Sequence, residues 1–301
     1  MANAANNPDR ILGGIGLRLF AILCLASMAA LIKLGEARGT NLIETMFFRQ
    51  ACAVPLVVGF MAAGPGFGAL RTERPGAHLM RTAVGIAGMF ANFGAIMLLP
   101  LAEAQTLAFT APIFATVLGA LILHESTGWH RWAAVLTGFG GVLIVVQPGG
   151  GAIPLFGAIV GVAAAFFVAL IAILLRQIGK TEGAITTVFW FSTLSVPPLG
   201  LAYLWHLQPH DALTWAILVA IGIVGGLGQL SLTAALRLAP VSVVVPMDYS
   251  GLVWATIYGW LLFGMWPTPA TWIGAPIIIG SGLYIVAREH RLKRLRAAQA
   301  T

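Results

Sequence analysis

The chain has 301 residues, of which 59% are hydrophobic and 9% charged, with a mean hydropathy of +0.91. A water-exposed surface usually needs about a quarter charged residues, so this composition excludes a cytosolic enzyme, a disordered chain and a secreted disulfide scaffold. The net charge of +7 sits in short loops and the C-terminal tail, where membrane topology accounts for it without nucleic acid.

Apolar runs bounded by charge, Pro or Gly predict ten transmembrane helices, at 13–34, 42–62, 78–99, 101–123, 129–146, 155–176, 184–204, 213–236, 239–261 and 270–287. The first follows MANAANNPDR with no small-residue cleavage pattern and reads as a retained helix, not a signal peptide. Lys33 closes it, and the outer part of the second span carries Glu44 and Arg49. A guanidinium there suits a bidentate contact with a solute carboxylate; an interfacial ion pair or snorkelling side chains are the structural alternative. Cys24 and Cys52 lie inside apolar runs and read as buried thiols, with no disulfide framework or metal site signalled.

The third span holds Gly85, Gly88 and Asn92, and the fourth holds Glu103, Phe109 and Pro112. They meet at Leu99-Pro100, where proline disfavours helical geometry in the residue before it and predicts a tight hairpin. After the fifth span an uncharged loop, QPGGGAIP at 147–154, divides the chain near its midpoint. The sixth span carries Phe166 and Phe167, the seventh Trp190, and the eighth Gly222, Gly225 and Gln229. A second hairpin is predicted at Ala239-Pro240.

The ninth span holds VVVPMDYSGLVW, with Asp248 and Tyr249 two and three residues after Pro246. A carboxylate at bilayer depth costs about 2.5–3.5 kcal/mol on insertion scales, so Asp248 is expected to face the bundle interior. Pro246 removes a backbone donor and predicts a break beside it. Asp248 can then receive a substrate ammonium or carry a coupling proton; an acid hydrogen-bonded to neighbouring helices is the structural alternative. Trp129, Trp132, Trp205, Trp215, Trp266 and Trp272 fall near span ends, as interface anchors do. Phe90, Phe93, Phe109, Phe166, Phe167, Trp190, Tyr249 and Trp254 are deeper, as pocket lining or as core.

Two longer patterns organise these spans. With a cytoplasmic N-terminus, fourteen of the seventeen Lys and Arg residues fall on the inner side, leaving Lys33, Arg38 and Arg49. Both termini are therefore predicted to be cytoplasmic. Gly85, Gly88, Asn92 and Leu101-Ala102 also match Gly222, Gly225, Gln229 and Leu238-Ala239 at an offset of 137, and Trp132, Gly140 and Leu143 match Trp272, Gly280 and Leu283 at 140. Five spans per repeat make the second, 151–301 with its basic tail, enter inverted relative to the first, 1–150. Inverted repeats place a substrate site near the midplane between them. Asn92 and Gln229 are accordingly expected to line one cavity, or else to bond helices together.

The stretch at 101–149 resembles the fourth and fifth helices of the EamA-type drug/metabolite transporters, with an alanine-rich start, Pro112, a helix-ending Glu125 and Gly138, Gly140 and Gly141. Lys33, Arg49 and the five-plus-five layout fit the same pattern, whereas Met265 stands where a second glutamate is expected. The length and aromatic content look most like the aromatic and neutral amino-acid exporters. The resemblance implies a secondary transporter of the bacterial inner membrane, exporting small organic solutes by alternating access. Amino acids come first, and nucleotide-like or cationic metabolites and drugs are the alternative.

Enzyme motifs do not match. HESTGWH at 124–130 spaces its histidines six apart rather than four, GPGFG at 64–68 lacks a phosphate-loop lysine, and no serine sits in a nucleophile elbow. An intramembrane enzyme or assembly factor remains the reading from another class. No cofactor and no metal is expected. The partners are a small-molecule substrate and membrane lipids, which the REHRLKRLR tail at 288–296 suits, and a monomer should suffice because both repeats share one chain.

Overall fold

The computed structural model describes residues 8–64, 66–122, 128–150, 152–239 and 241–299, so Glu125 and the HEST stretch lie outside the described residues. Helix α1 (Pro8–Ala37) turns through Gly39, at φ 91°, into α2 (Leu42–Ala63). Asn41 starts α2 by accepting the Glu44 N–H at 2.8 Å, as an N-cap does. A 3₁₀ turn (Phe67–Leu70) leads to α3 (Pro75–Leu98), whose first turn holds the proline that needs no donor there. Then come α4 (Leu101–Ala108), α5 (Ala111–Ile122), α6 (Trp129–Val146), α7 (Leu155–Ile178), α8 (Ala184–Leu204) and α9 (Ala212–Leu238). The chain ends with α10 (Val241–Val244), a 3₁₀ turn (Val245–Tyr249), α11 (Ser250–Phe263) and α12 (Pro269–Gln299).

Among the described residues there is no strand, and nine helical segments are long and apolar enough to cross a bilayer. The ninth predicted span, 239–261, is interrupted: the 3₁₀ turn at Val245–Tyr249 leaves no helix of membrane length there. The fourth span is interrupted too, at Phe109-Thr110. Pro112 cannot donate to the carbonyl of Ala108, the last residue of α4, and its ring crowds that carbonyl. Proline alone does not decide this, because Pro55, Pro197, Pro198 and Pro276 sit inside continuous helices. At the α4–α5 junction the hydroxyls of Thr106 and Thr110 donate to the carbonyls of Ala102 and Leu107, both at 2.7 Å. Such side-chain bonds give the backbone an alternative to the helical ladder.

Packing interleaves the elements before and after residue 150. Helix α9 lies along α1 and α2, α3 along α7, α12 along α6, and α11 against α1 and α4. Small residues permit the close approaches: a Cβ on Gly222 would sit 2.4 Å from Cβ of Cys52 and 2.5 Å from the Phe48 carbonyl. Cys24 and Cys52 are free thiols. Met28, Ile32, Met46, Phe93, Leu107, Ile221 and Ile278 form the main core. Leu121, Leu136, Val253 and Leu261 point outward, which suits hydrocarbon and not water. The start of α1 lies beside Ala235 and Ala239, whereas Lys33 near its other end reaches Ile96 and Met97, and the start of α12 reaches Glu103 close by. The end of the bundle where α1 begins and toward which α12 runs is called the terminal end below.

Candidate functional site

The two interrupted spans meet. The rings of Phe109, at the α4–α5 break, and Tyr249, at the end of the second 3₁₀ turn, lie 4.9 Å apart at 58°. Away from the terminal end, a cavity of about 180 Å³ opens between α1, α3, α4 and α11. Its lining is apolar, with Ile22, Met28, Ile96 and Leu101, except for the amides of Asn92 and Gln105. Gly251 leaves space for the second amide: a Cβ there would stand 3.0 Å from Gln105 Nε2.

On the terminal side of the ring contact, Asp248 is held by Arg18 of α1. Arg18 Nε donates to Oδ1 and Nη2 to Oδ2, both at 2.6 Å, the parallel two-bond geometry that a planar guanidinium allows. Arg18 is 5% exposed and its Nη1 has no partner. The sequence reading placed Arg18 among the inner-side positive charges and did not join it to Asp248. The available signal was that each is an ionisable residue within a predicted span, and such residues pair with one another.

The structure places the other candidate residues apart from this pair. Glu44 does not face Arg49; its Oε2 lies 2.9 Å from His210 Nε2. Lys33 Nζ donates to the carbonyls of Ile96 and Met97, at 3.2 and 3.1 Å, closing the end of α3 just before the Pro100 hairpin. Glu103 is fully buried, and its Oε1 accepts from the Thr268 N–H at 2.8 Å and the Thr271 hydroxyl at 3.1 Å. Asn92 and Gln229 do not share one cavity. Gln229 lines a separate space of about 450 Å³ that also holds Arg49 and Arg81 and reaches Gly179 and Arg237 near the terminal end. The reason is the docking of α9 along α1 and α2, which turns Gln229 toward α2 and α8. Phe166 packs edge-on against Phe114 and Phe167, at 5.8 and 5.7 Å, and lines neither cavity.

Both ends carry links between the first and second halves of the chain. At the terminal end Glu182 Oε1 accepts from the Thr72 hydroxyl at 2.7 Å and the Glu73 N–H at 3.1 Å, while Oε2 lies 3.5 Å from His78. The Thr72 bond above all, then the Glu73 N–H and His78, holds the Glu182 carboxyl below its ordinary range. At the opposite end Arg38 donates to Asp211 at 2.6 Å, and the Thr214 hydroxyl and N–H, followed by Arg38, hold Asp211 low as well. Among the described residues no cluster of three or more His, Cys, Asp or Glu is arranged to hold a metal.

The sequence profile described as the EamA-like transporter family matches residues 12–147 and again 155–287. A riboflavin transporter of Vibrio cholerae is 29% identical over 277 residues, covering 91% of each chain. A pseudopaline exporter of Pseudomonas aeruginosa is 31% identical, over 90% of this chain and 95% of that one. An S-adenosylmethionine uptake transporter of Rickettsia conorii is 27% identical, over 93% and 94%. One crystal structure shares the fold with a TM-score of 0.57 at 20% identity, over 90% of this chain and 96% of that one.

Proposed function

Because the chain belongs to the EamA-like transporter family and is an integral membrane transporter, we propose that it moves small organic solutes by alternating access through the 180 Å³ cavity. In this reading its halves, 1–150 and 151–301, are inverted five-helix repeats in a bacterial inner membrane, with both termini cytoplasmic. The observation that carries the proposal is the meeting of two interrupted spans, one from each half, at Phe109 and Tyr249 beneath that cavity. Discontinuous helices at the midplane are how secondary transporters expose backbone groups to solute without exposing them to lipid.

The solute is proposed to be an amino acid, aromatic or otherwise neutral, moved outward. Asn92 and Gln105 offer donors and acceptors without a charge in an otherwise apolar lining, next to the Phe109–Tyr249 ring contact rather than walled by it. The cavity is smaller than the about 300–1,000 Å³ of sites for drug-sized ligands, which favours a solute of amino-acid size. A second reading, a larger metabolite, is favoured by the names of the relatives: riboflavin, pseudopaline and S-adenosylmethionine. The Arg18–Asp248 pair joins α1 to the 3₁₀ turn before α11, across the two halves and on the terminal side of the cavity. We assign it the role of an inner gate, a contact that must part for solute to pass between the cavity and the terminal end.

Counterflow in proteoliposomes with labelled amino acids, riboflavin and nucleosides tests the function. Accumulation of at least one labelled solute against excess unlabelled solute inside is the expected result. Folded protein that accumulates none of them rejects transport of these classes, and accumulation of riboflavin alone rejects the amino-acid reading.

A further inference from the structure

The second cavity carries a site that the transport reading does not use. Besides the exposed Arg237 near the terminal end, two guanidiniums lie deeper in it, and of these Arg49 on α2 is 7% exposed and donates to the side-chain oxygen of the adjacent Gln50. Arg81 on α3 has Nε and Nη1 buried and without any hydrogen bond. Among the described residues neither has an ion-pair partner. The one carboxylate at the cavity's edge, Glu182, is committed to Thr72 and the Glu73 N–H.

Unpaired charges within a membrane span are expensive, and so are buried donors left without acceptors. The surroundings nonetheless hold Arg81 in place. Its guanidinium carbon lies 4.1 Å from the centre of the Phe191 ring, a cation–π contact. Gly85 leaves the room: a Cβ there would come within 2.2 Å of Arg81 Nη1 and 2.6 Å of the Phe191 ring. Two guanidiniums facing a 450 Å³ cavity, one of them with two unbonded nitrogens, have the chemistry of an oxyanion receptor. The hydroxyls of Thr187 and Thr233 add polar lining, and Val188, Leu232 and Leu236 give the rest of a ligand an apolar wall.

We propose that the cavity between α2, α3, α8 and α9 binds a phosphate or carboxylate group carried on an apolar stem, with Arg49 and Arg81 as its ligands. This site is separate from the Phe109–Tyr249 cavity and does not depend on the identity of the transported solute. Its ligand has two sources with the same chemistry, an anionic lipid headgroup entering from the bilayer or a soluble organic anion entering from the terminal end.

The test uses the full chain in nanodiscs and reads thermal unfolding at fixed ionic strength. In discs of phosphatidylcholine alone, phenyl phosphate raises the Tm by about 2–4 °C if the ligand is a soluble anion. If the ligand is a lipid, adding phosphatidylglycerol to the discs gives that rise and phenyl phosphate adds nothing further. Either rise is lost in Arg81→Gln, whose partly exposed side chain makes it the safer variant to fold, and in Arg49→Gln where that variant elutes as folded protein. Absence of both rises in the wild type, or a full rise in Arg81→Gln, overturns the proposal.

Discussion

Arg18 and Asp248 are 230 residues apart, and each resolves a problem the other creates. A lone ionised group at bilayer depth is expensive, whereas two in bidentate contact satisfy each other's charge and much of their hydrogen bonding. Removing one partner of a buried pair costs about 3–5 kcal/mol, less where one side chain reaches water, as the 34% exposed Asp248 side chain does. Asp248→Asn should therefore lower the Tm and leave solute exchange lost. The double variant Arg18→Gln/Asp248→Asn should regain Tm without regaining exchange; wild-type exchange in Asp248→Asn contradicts the gate role. Glu182 gives a pH signature, since it lies outside the spans. Its folded-state pKa is held low, so its contribution to stability is complete above the ordinary glutamate value, about 4.3, and is lost as pH falls through the lower folded value. Tm measured against pH for wild type and Glu182→Gln should differ by a constant amount between pH 6 and 8 and converge below about pH 4. The turn that carries Asp248 and Tyr249 was legible in the sequence because proline and charge stand out in apolar runs. Arg18 and Arg81 were not, because a cation early in a span reads as a topology signal until its partner, or its lack of one, is seen in space.

Periodicity and proline place ten spans and a break beside Pro246, which the turn at Val245–Tyr249 bears out, and the structure adds a second break at Phe109-Thr110. Whether a proline breaks a helix depends on what else can satisfy the freed carbonyls, which is why Pro55 and Pro276 leave their helices whole while Pro112 sits at a break. Pro112→Ala should make the fourth span more continuous, with an unchanged or higher Tm and exchange slowed about tenfold, roughly 1.4 kcal/mol on the barrier. Unchanged counterflow would show the break to be incidental. Glycines divide in the same way. Gly222→Ala puts a methyl 2.4 Å from Cys52 and should destabilise by about 1–3 kcal/mol, whereas Gly140 meets nothing within 4 Å. Gly140→Ala should be neutral or stabilising by about 0.5–1 kcal/mol, since only the helix propensity changes. Denaturation of the two purified variants in the same detergent checks both signs. The sequence alone offered the matched glycines as packing residues but could not rank them, because closeness depends on which helix docks where.

The whole molecule poses the question of orientation and of access. The positive-inside count predicts that cysteines introduced at Gly150 and Ala298, in a variant lacking Cys24 and Cys52, label from opposite faces of intact cells. Labelling of both from outside would contradict it. Interleaving of the two halves follows from helix pairs such as α9 with α1 and α6 with α12, and it was only partly legible: the offset of 137 to 140 between matched residues pointed to repetition, not to which helices touch. The same gap led to Asn92 and Gln229 being joined in one cavity, when docking separates them and brings Gln105 to Asn92 instead. The central claim is that solute passes through the cavity of Asn92 and Gln105. Counterflow of whichever solute the wild type accumulates, compared among wild type, Asn92→Leu/Gln105→Leu and Phe166→Leu at matched folded protein, tests it most directly. The account predicts a loss of about tenfold or more in the amide variant, roughly 1.4 kcal/mol, and near-normal exchange in Phe166→Leu. Normal exchange in the amide variant would contradict it.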